Sequence, residues 1–269
     1  MKTAATVLST ILAVGIASSD ISSAYAEDDA TTGIEAVIAE NYQQTVREIE
    51  QQRKKFHQEY IHAQSSQERQ NLIFKAQNYL FNVISDQLVP PWYGTFWTFT
   101  GTSDTPQQGT ISCGHFVSTI LEHAGFNLER LDLGQLHAGN IILNINDNPE
   151  NVRIYKNKDL AVVEEEVQQW GKGIYLVGLD THTGFIINDG QGTINFVHSS
   201  YYADKKVVSE PLQGNNPFHD SKYRVIGKVL DETVAKQWIF NEQFPLTYTT
   251  PDDYRRVERK VLQRQEYSY

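Results

Sequence analysis

The chain has 269 residues, a formal net charge of −10 and one cysteine, Cys113. The acidity argues against nucleic acid or an anionic membrane surface as partner, since both favour Lys/Arg-rich faces. A single thiol permits no internal disulfide, and at this length a core can be buried without one, in one main domain with an appendage.

At the N-terminus Lys2 precedes an apolar run, Ala4–Ala17, and then Ala24-Tyr25-Ala26, an Ala-x-Ala site. The pattern predicts an export signal over 1–26 and a periplasmic or extracellular product. The apolar run is too short for a membrane span, which takes roughly 20 residues. No later run predicts a span.

Ile34, Val37, Ile38, Tyr42, Val46, Ile49, Phe56 and Tyr60 recur at helical steps and predict an amphipathic helix over 34–62. Ser65 with Glu68 reads as a capping box. A second helix follows through Leu72, Ile73, Ala76, Leu80 and Ile84, ended by Pro90-Pro91. Residues 27–89 therefore read as a helical hairpin, either a separate arm or the first layer of the main domain. The stretch Trp92–Gly109 is a long aromatic-rich loop, a kind often functional.

A helix starting at Cys113 comes next, and another is expected near Asp159–Trp170. Five β-rich runs then begin at Gly173, His182, Thr193, Lys205 and Lys222, separated by Gly, Asp and Asn turns. They predict an antiparallel meander. Asp231 is placed to cap a helix to about Phe240, and Pro251–Gln263 predicts a last one, acids first and bases later. Helices before strands give an α+β class with the cysteine helix packed on the sheet. The main domain is expected over 90–240 and a helical tail over 241–269.

Counted from Cys113, Phe116, Val117, Ile120, Leu121 and Ala124 form one helical stripe. The sulfur thus stands at a helix start, capped by Thr110 or Ser112, where free N–H groups and the helix dipole favour a thiolate. Gly114 leaves room for a substrate. A small buried filler is the plain alternative.

A thiol nucleophile needs an imidazole and a group to orient it. His57 and His62 lie among charges. His115 points about 200° away from Cys113 around the helix, and His123 lies at its far end. His137 and His219 occupy turn-like surroundings. His182 and His198 differ, because both sit on strand faces with large apolar neighbours, joined by the hairpin signal Asn188–Gly192.

The order of Cys113, a long gap, His182, a short hairpin and His198 resembles the NlpC-type cell-wall peptidases, papain-like cysteine hydrolases related to the CHAP amidases. His182–Ser200 is similar to that family's histidine strand, Gly-rich turn and third-residue strand, and His115–Arg130 to its helix and following Ala-Gly segment. The family's Asp-Cys-Ser-Gly is here Ser112-Cys113-Gly114-His115. The likeness covers roughly 90–230 and implies a papain-like fold and a Cys113–His182–His198 triad that cleaves an amide in peptidoglycan stem peptides, without a cofactor. It also implies an oxyanion donor at the Cys113 N–H, with a second from Tyr93 or Gln107, and a cleft walled by Trp92 and Trp97. The partner implied is a peptide or peptidoglycan substrate.

Protein hydrolysis and transglutaminase-like transfer remain open within that fold, as does a secreted binding module with Cys113 as packing. No cofactor or metal is expected: one cysteine and scattered histidines give no zinc spacing, and Asn144–Asn151 lacks the Gly and final Glu of a calcium loop.

Overall fold

The computed structural model describes residues 20–202 and 204–266, with side chains in the first helix from residue 33 onward, Ile34 excepted. Most of the leader expected over 1–26 lies outside them.

The first helix, α1 (Asp20–His62), is followed by α2 (Ser66–Val83). Ser65 caps α2, its hydroxyl accepting the Glu68 N–H at 3.1 Å, while the Glu68 carboxylate turns back to the Gln64 N–H. A π-turn and a 3-10 turn carry the chain through Pro90–Trp92 into the long loop. Then come α3 (Cys113–His123), α4 (Arg130–Gly134) and α5 (Ala138–Ile145). The sheet begins with β1 (Val152–Lys156), and α6 (Leu160–Trp170), capped by Asp159, leads to β2 (Gly173–Leu179), β3 (Thr183–Asn188), β4 (Ile194–Ser199) and β5 (Val207–Pro211). A short α7 (Pro217–Asp220), β6 (Tyr223–Lys228), α8 (Glu232–Ile239) and α9 (Pro251–Glu266) complete the chain.

The fold is α+β, with an antiparallel six-stranded sheet in the order β1-β6-β2-β3-β4-β5. The expected meander holds for β2 to β5 only. The last strand does not trail β5 but enters between β1 and β2. Val225 and Ile226 explain the place, since both are buried, one on each face, as a central strand requires. The β1 strand had no expected counterpart.

Alternation gives the sheet two unlike faces. Ile174, Leu176, Phe185, Val197 and Val225 join Phe116, Val117 and Ile120 of α3 in the large core. On the other face Tyr175, Val177, Ile186, Phe196 and Ile226 pack with Val163 and Val167 of α6 and Phe218 of α7.

Residues from Ile38 onward form one compact unit. Tyr42, Ile49 and Phe56 of α1, Leu80 of α2 and Tyr254, Val257 and Val261 of α9 all belong to the large core. No break between compact units falls near 89 or 241. Buried polar contacts tie the layers as well: the Trp92 indole N–H donates to the Tyr42 hydroxyl at 2.9 Å, and that hydroxyl lies 2.9 Å from His123 Nδ1.

Both sheet edges are covered. On β5 the Gly94 N–H donates to Val207 O and the Val207 N–H to Thr95 O. On β1 the Gln265 side-chain oxygen accepts the Ile154 N–H at 2.9 Å, and the Arg264 guanidinium donates to Val152 O at 3.0 Å. Among the described residues no helix is long and apolar enough to cross a membrane.

Candidate active site

Ser112 is the N-cap of α3, its hydroxyl accepting the His115 N–H. The Cys113 thiol is half-buried, and the nearby backbone N–H groups of Thr183, Gly114 and Cys113 act to lower its pKa. Gly114 has a different task from the one its sequence suggests. A Cβ there would lie 2.1 Å from Gly134 O, so the bare position lets α3 and α4 touch rather than admitting a substrate.

His182 leaves the β2–β3 turn, where the Leu179 N–H donates to His182 O at 2.8 Å, and it is 3% exposed. Its Nε2 stands 2.7 Å from Nδ1 of His198 on β4, the two rings nearly perpendicular at 85°. His198 Nε2 in turn lies 2.9 Å from the Glu210 carboxylate on β5. Phe196, two residues back on the same face, stacks on the His198 ring at 4.1 Å and 17°. Opposite His198, a Cβ on Gly184 would come within 2.7 Å of His198 Cβ, so only glycine leaves the imidazole its place.

The histidine pair shares its sheet face with Phe196, away from the face that α3 packs against. The sequence reading had the cysteine helix facing the histidines across the helix–sheet interface. Cys113 and His182 instead line one cleft of about 700 Å³, with no hydrogen bond from His182 Nδ1 to the sulfur. Trp97, Phe99, Leu136 and Tyr201 supply its apolar walls, while His115 and His137 add imidazoles. His182 Nδ1, His115 Nε2 and Trp97 Nε1 are buried and make no hydrogen bond. Each such group costs about 1–3 kcal/mol until something pairs with it, and all three belong to residues of this cleft.

The remaining expectations divide. Trp97 lines the cleft, but Trp92 is fully buried in the core. Gln107 lies outside it: its amide donates to Pro91 O and Tyr93 O at 2.8 and 2.6 Å, so it staples the aromatic loop and has no donor for an oxyanion. Tyr93 is 38% exposed and directed to Ser209, also outside the cleft. His137, exposed in its turn, caps α5 and also lines the cleft. Glu210 had no counterpart in the sequence reading, although His198 pairs with Val208, which puts Glu210 one diagonal step away on the same face.

Burial dominates the electrostatics. It raises the Cys113 thiol above its ordinary value, against the lowering by the three N–H groups. Burial also pulls His182 well below the usual imidazole range, with His198 adding to the effect, and takes His198 down to about 3. Both shifts favour a neutral thiol and a neutral imidazole, against the thiolate that the helix start alone favours.

Among the described residues no three His, Cys, Asp or Glu side chains are grouped to hold a metal ion. The chain matches no protein-family model, no curated protein and no solved structure.

Proposed function

We propose that the chain is a cysteine hydrolase of papain-like type, exported, acting on an amide bond in a peptide, with peptidoglycan stem peptides as the first class to test. One observation carries the reading: the lone thiol and a buried histidine line the same cleft, and that histidine is held at Nε2 while Nδ1 has no partner.

The Cys113 sulfur attacks the scissile carbonyl carbon as its proton passes to His182 Nδ1. The C–S bond forms, the C–N bond breaks, and His182 gives the proton to the leaving amine. Water then attacks the thioester, His182 taking its proton, and the acid and free thiol are released. His198 orients His182 and stabilises its transient charge. The N–H groups of Cys113, Gly114 and Thr183, gathered at the sulfur, are the available donors for the oxyanion. With the neutral pair favoured, His182 acts as a general base at the moment of attack.

The test is digestion of muropeptides and of peptide amides by the wild-type chain and by Cys113→Ser, read by mass spectrometry. A new free amine and a trapped thioester, present only in wild type, support hydrolysis. Identical product profiles would overturn it. The raised thiol favours a second reading, a secreted binding module on the same fold, for which a peptide would bind to both proteins and survive intact.

A further inference from the structure

The hydrogen-bonded chain from His182 through His198 to Glu210 has a direction, and one residue sets it. A neutral imidazole carries one N–H and one lone pair, so two neutral histidines bonded to each other satisfy their contact with either polarity. In one polarity His182 presents a lone pair at Nδ1 and is a base. In the other it presents an N–H there and cannot take the thiol's proton. The pair by itself does not choose.

We infer that Glu210 is a positioning residue that fixes this polarity, holding the proton of His198 on Nε2, the proton of His182 on Nε2, and the lone pair of His182 on Nδ1. An ionised carboxylate only accepts. Its Oε1 is 2.9 Å from His198 Nε2, so Nε2 carries the hydrogen. His198 Nδ1 then has the lone pair and accepts from His182 Nε2 at 2.7 Å. What is left on His182 is an unprotonated Nδ1, the buried atom with no partner, on a residue that lines the cleft with Cys113.

Three features keep the chain in register. His198 is fully buried and stacked on Phe196, so its ring does not flip freely. Gly184 removes the side chain that would push it off β3. Burial raises the Glu210 carboxyl above its ordinary value, but its side chain keeps 29% of its surface open to water while its Oε1 reaches inward to His198. The β5 strand thus takes part in the site through a residue that touches no substrate.

The functional arm of this inference rests on the hydrolase reading; the structural arm does not. The structural arm is a long-range ¹H–¹⁵N correlation spectrum of the histidine rings in the full chain, which reports the tautomer of each. Wild type is expected to show His182 and His198 both protonated on Nε2. Glu210→Gln offers a donor as well as an acceptor, so a second set with Nδ1–H on His182 should appear, with the melting point within a few degrees of wild type. Hydrolysis should fall at least tenfold in kcat with KM changed less than twofold, and Glu210→Asp should recover part of it. An Nδ1–H tautomer of His182 in wild type would overturn the inference, and so would Glu210→Gln with unchanged tautomers. Loss of the hydrolase reading alone would leave the tautomer result standing.

Discussion

Gly184 and His198 face each other across β3 and β4 so closely that a methyl group on residue 184 would lie 2.7 Å from His198 Cβ and equally close to Val197 O. Backbone and imidazole cannot both keep their places once that group is present. Gly184→Ala is therefore expected to displace His198 from His182, lowering hydrolysis at least tenfold while the protein still folds with a reduced melting point. Activity assay beside thermal denaturation checks it; an unchanged rate would show that the pair is not needed.

Gly114→Ala runs against helix propensity. In an open helix the change stabilises by up to about 1 kcal/mol, but here the new Cβ meets Gly134 O at 2.1 Å. Overpacking of this kind costs about 1–3 kcal/mol. Urea denaturation should show net destabilisation, because α4 must move away from the cysteine turn.

Thiol alkylation separates a neutral resting pair from an ion pair. With the thiol raised by burial, iodoacetamide should react slowly at pH 6 and about tenfold faster per pH unit above it, with no plateau below the ordinary thiol value of about 8.5. A fast, flat rate from pH 6 to 8 would mean that the thiolate is already formed in the free protein.

His123 gives a stability test away from the cleft. Its pKa is pulled down to about 4, mainly by burial and then by nearby Arg130. Between pH 6.5 and about 4 the unfolded chain binds a proton there and the folded chain does not. Stability must fall as pH falls through that window, by on the order of 1 kcal/mol per pH unit for this group. Above pH 6.5 the effect vanishes. His123→Gln should flatten the slope between pH 6.5 and 4 in urea titrations, and an equal slope would place the acid sensitivity elsewhere.

Local patterns carried much of the architecture. The stripe from Cys113 to Ala124, the caps at Ser65 and Asp231 and the helix near Asp159–Trp170 are each decided within a few residues, and they fold as read. The α+β class follows from the same patterns. What escaped were pairings between distant segments. Val152–Lys156 is short and carries the charges of Arg153 and Lys156, and it reads as a strand only beside β6. Val225 and Ile226 mark a strand covered on both faces, but nothing near them names β1 and β2 as its neighbours.

The site shows the same division. His182 and His198 stand out through strand parity, and they bond as neighbours. Parity does not say which face the cysteine helix covers, and Phe116 packing on Phe185 puts α3 on the other one. Gln107 stands six residues before Cys113 in sequence, yet its backbone has a positive φ of 63° and its amide is spent on two loop carbonyls. Glu210 was within reach of reasoning, because a strand ending Val-Val-Ser-Glu beside His198 places one acid on the imidazole's side once the register is known.

The glutamine and arginine that α9 lays along β1 do the work of a missing seventh strand. A chain cut before residue 251 would leave that row of peptide groups bare, a template on which a second molecule can extend the sheet. Shortened preparations should accumulate as growing assemblies even when the thiol site, three strands away across the sheet, is whole, so association and the cleft answer to different segments of the sequence.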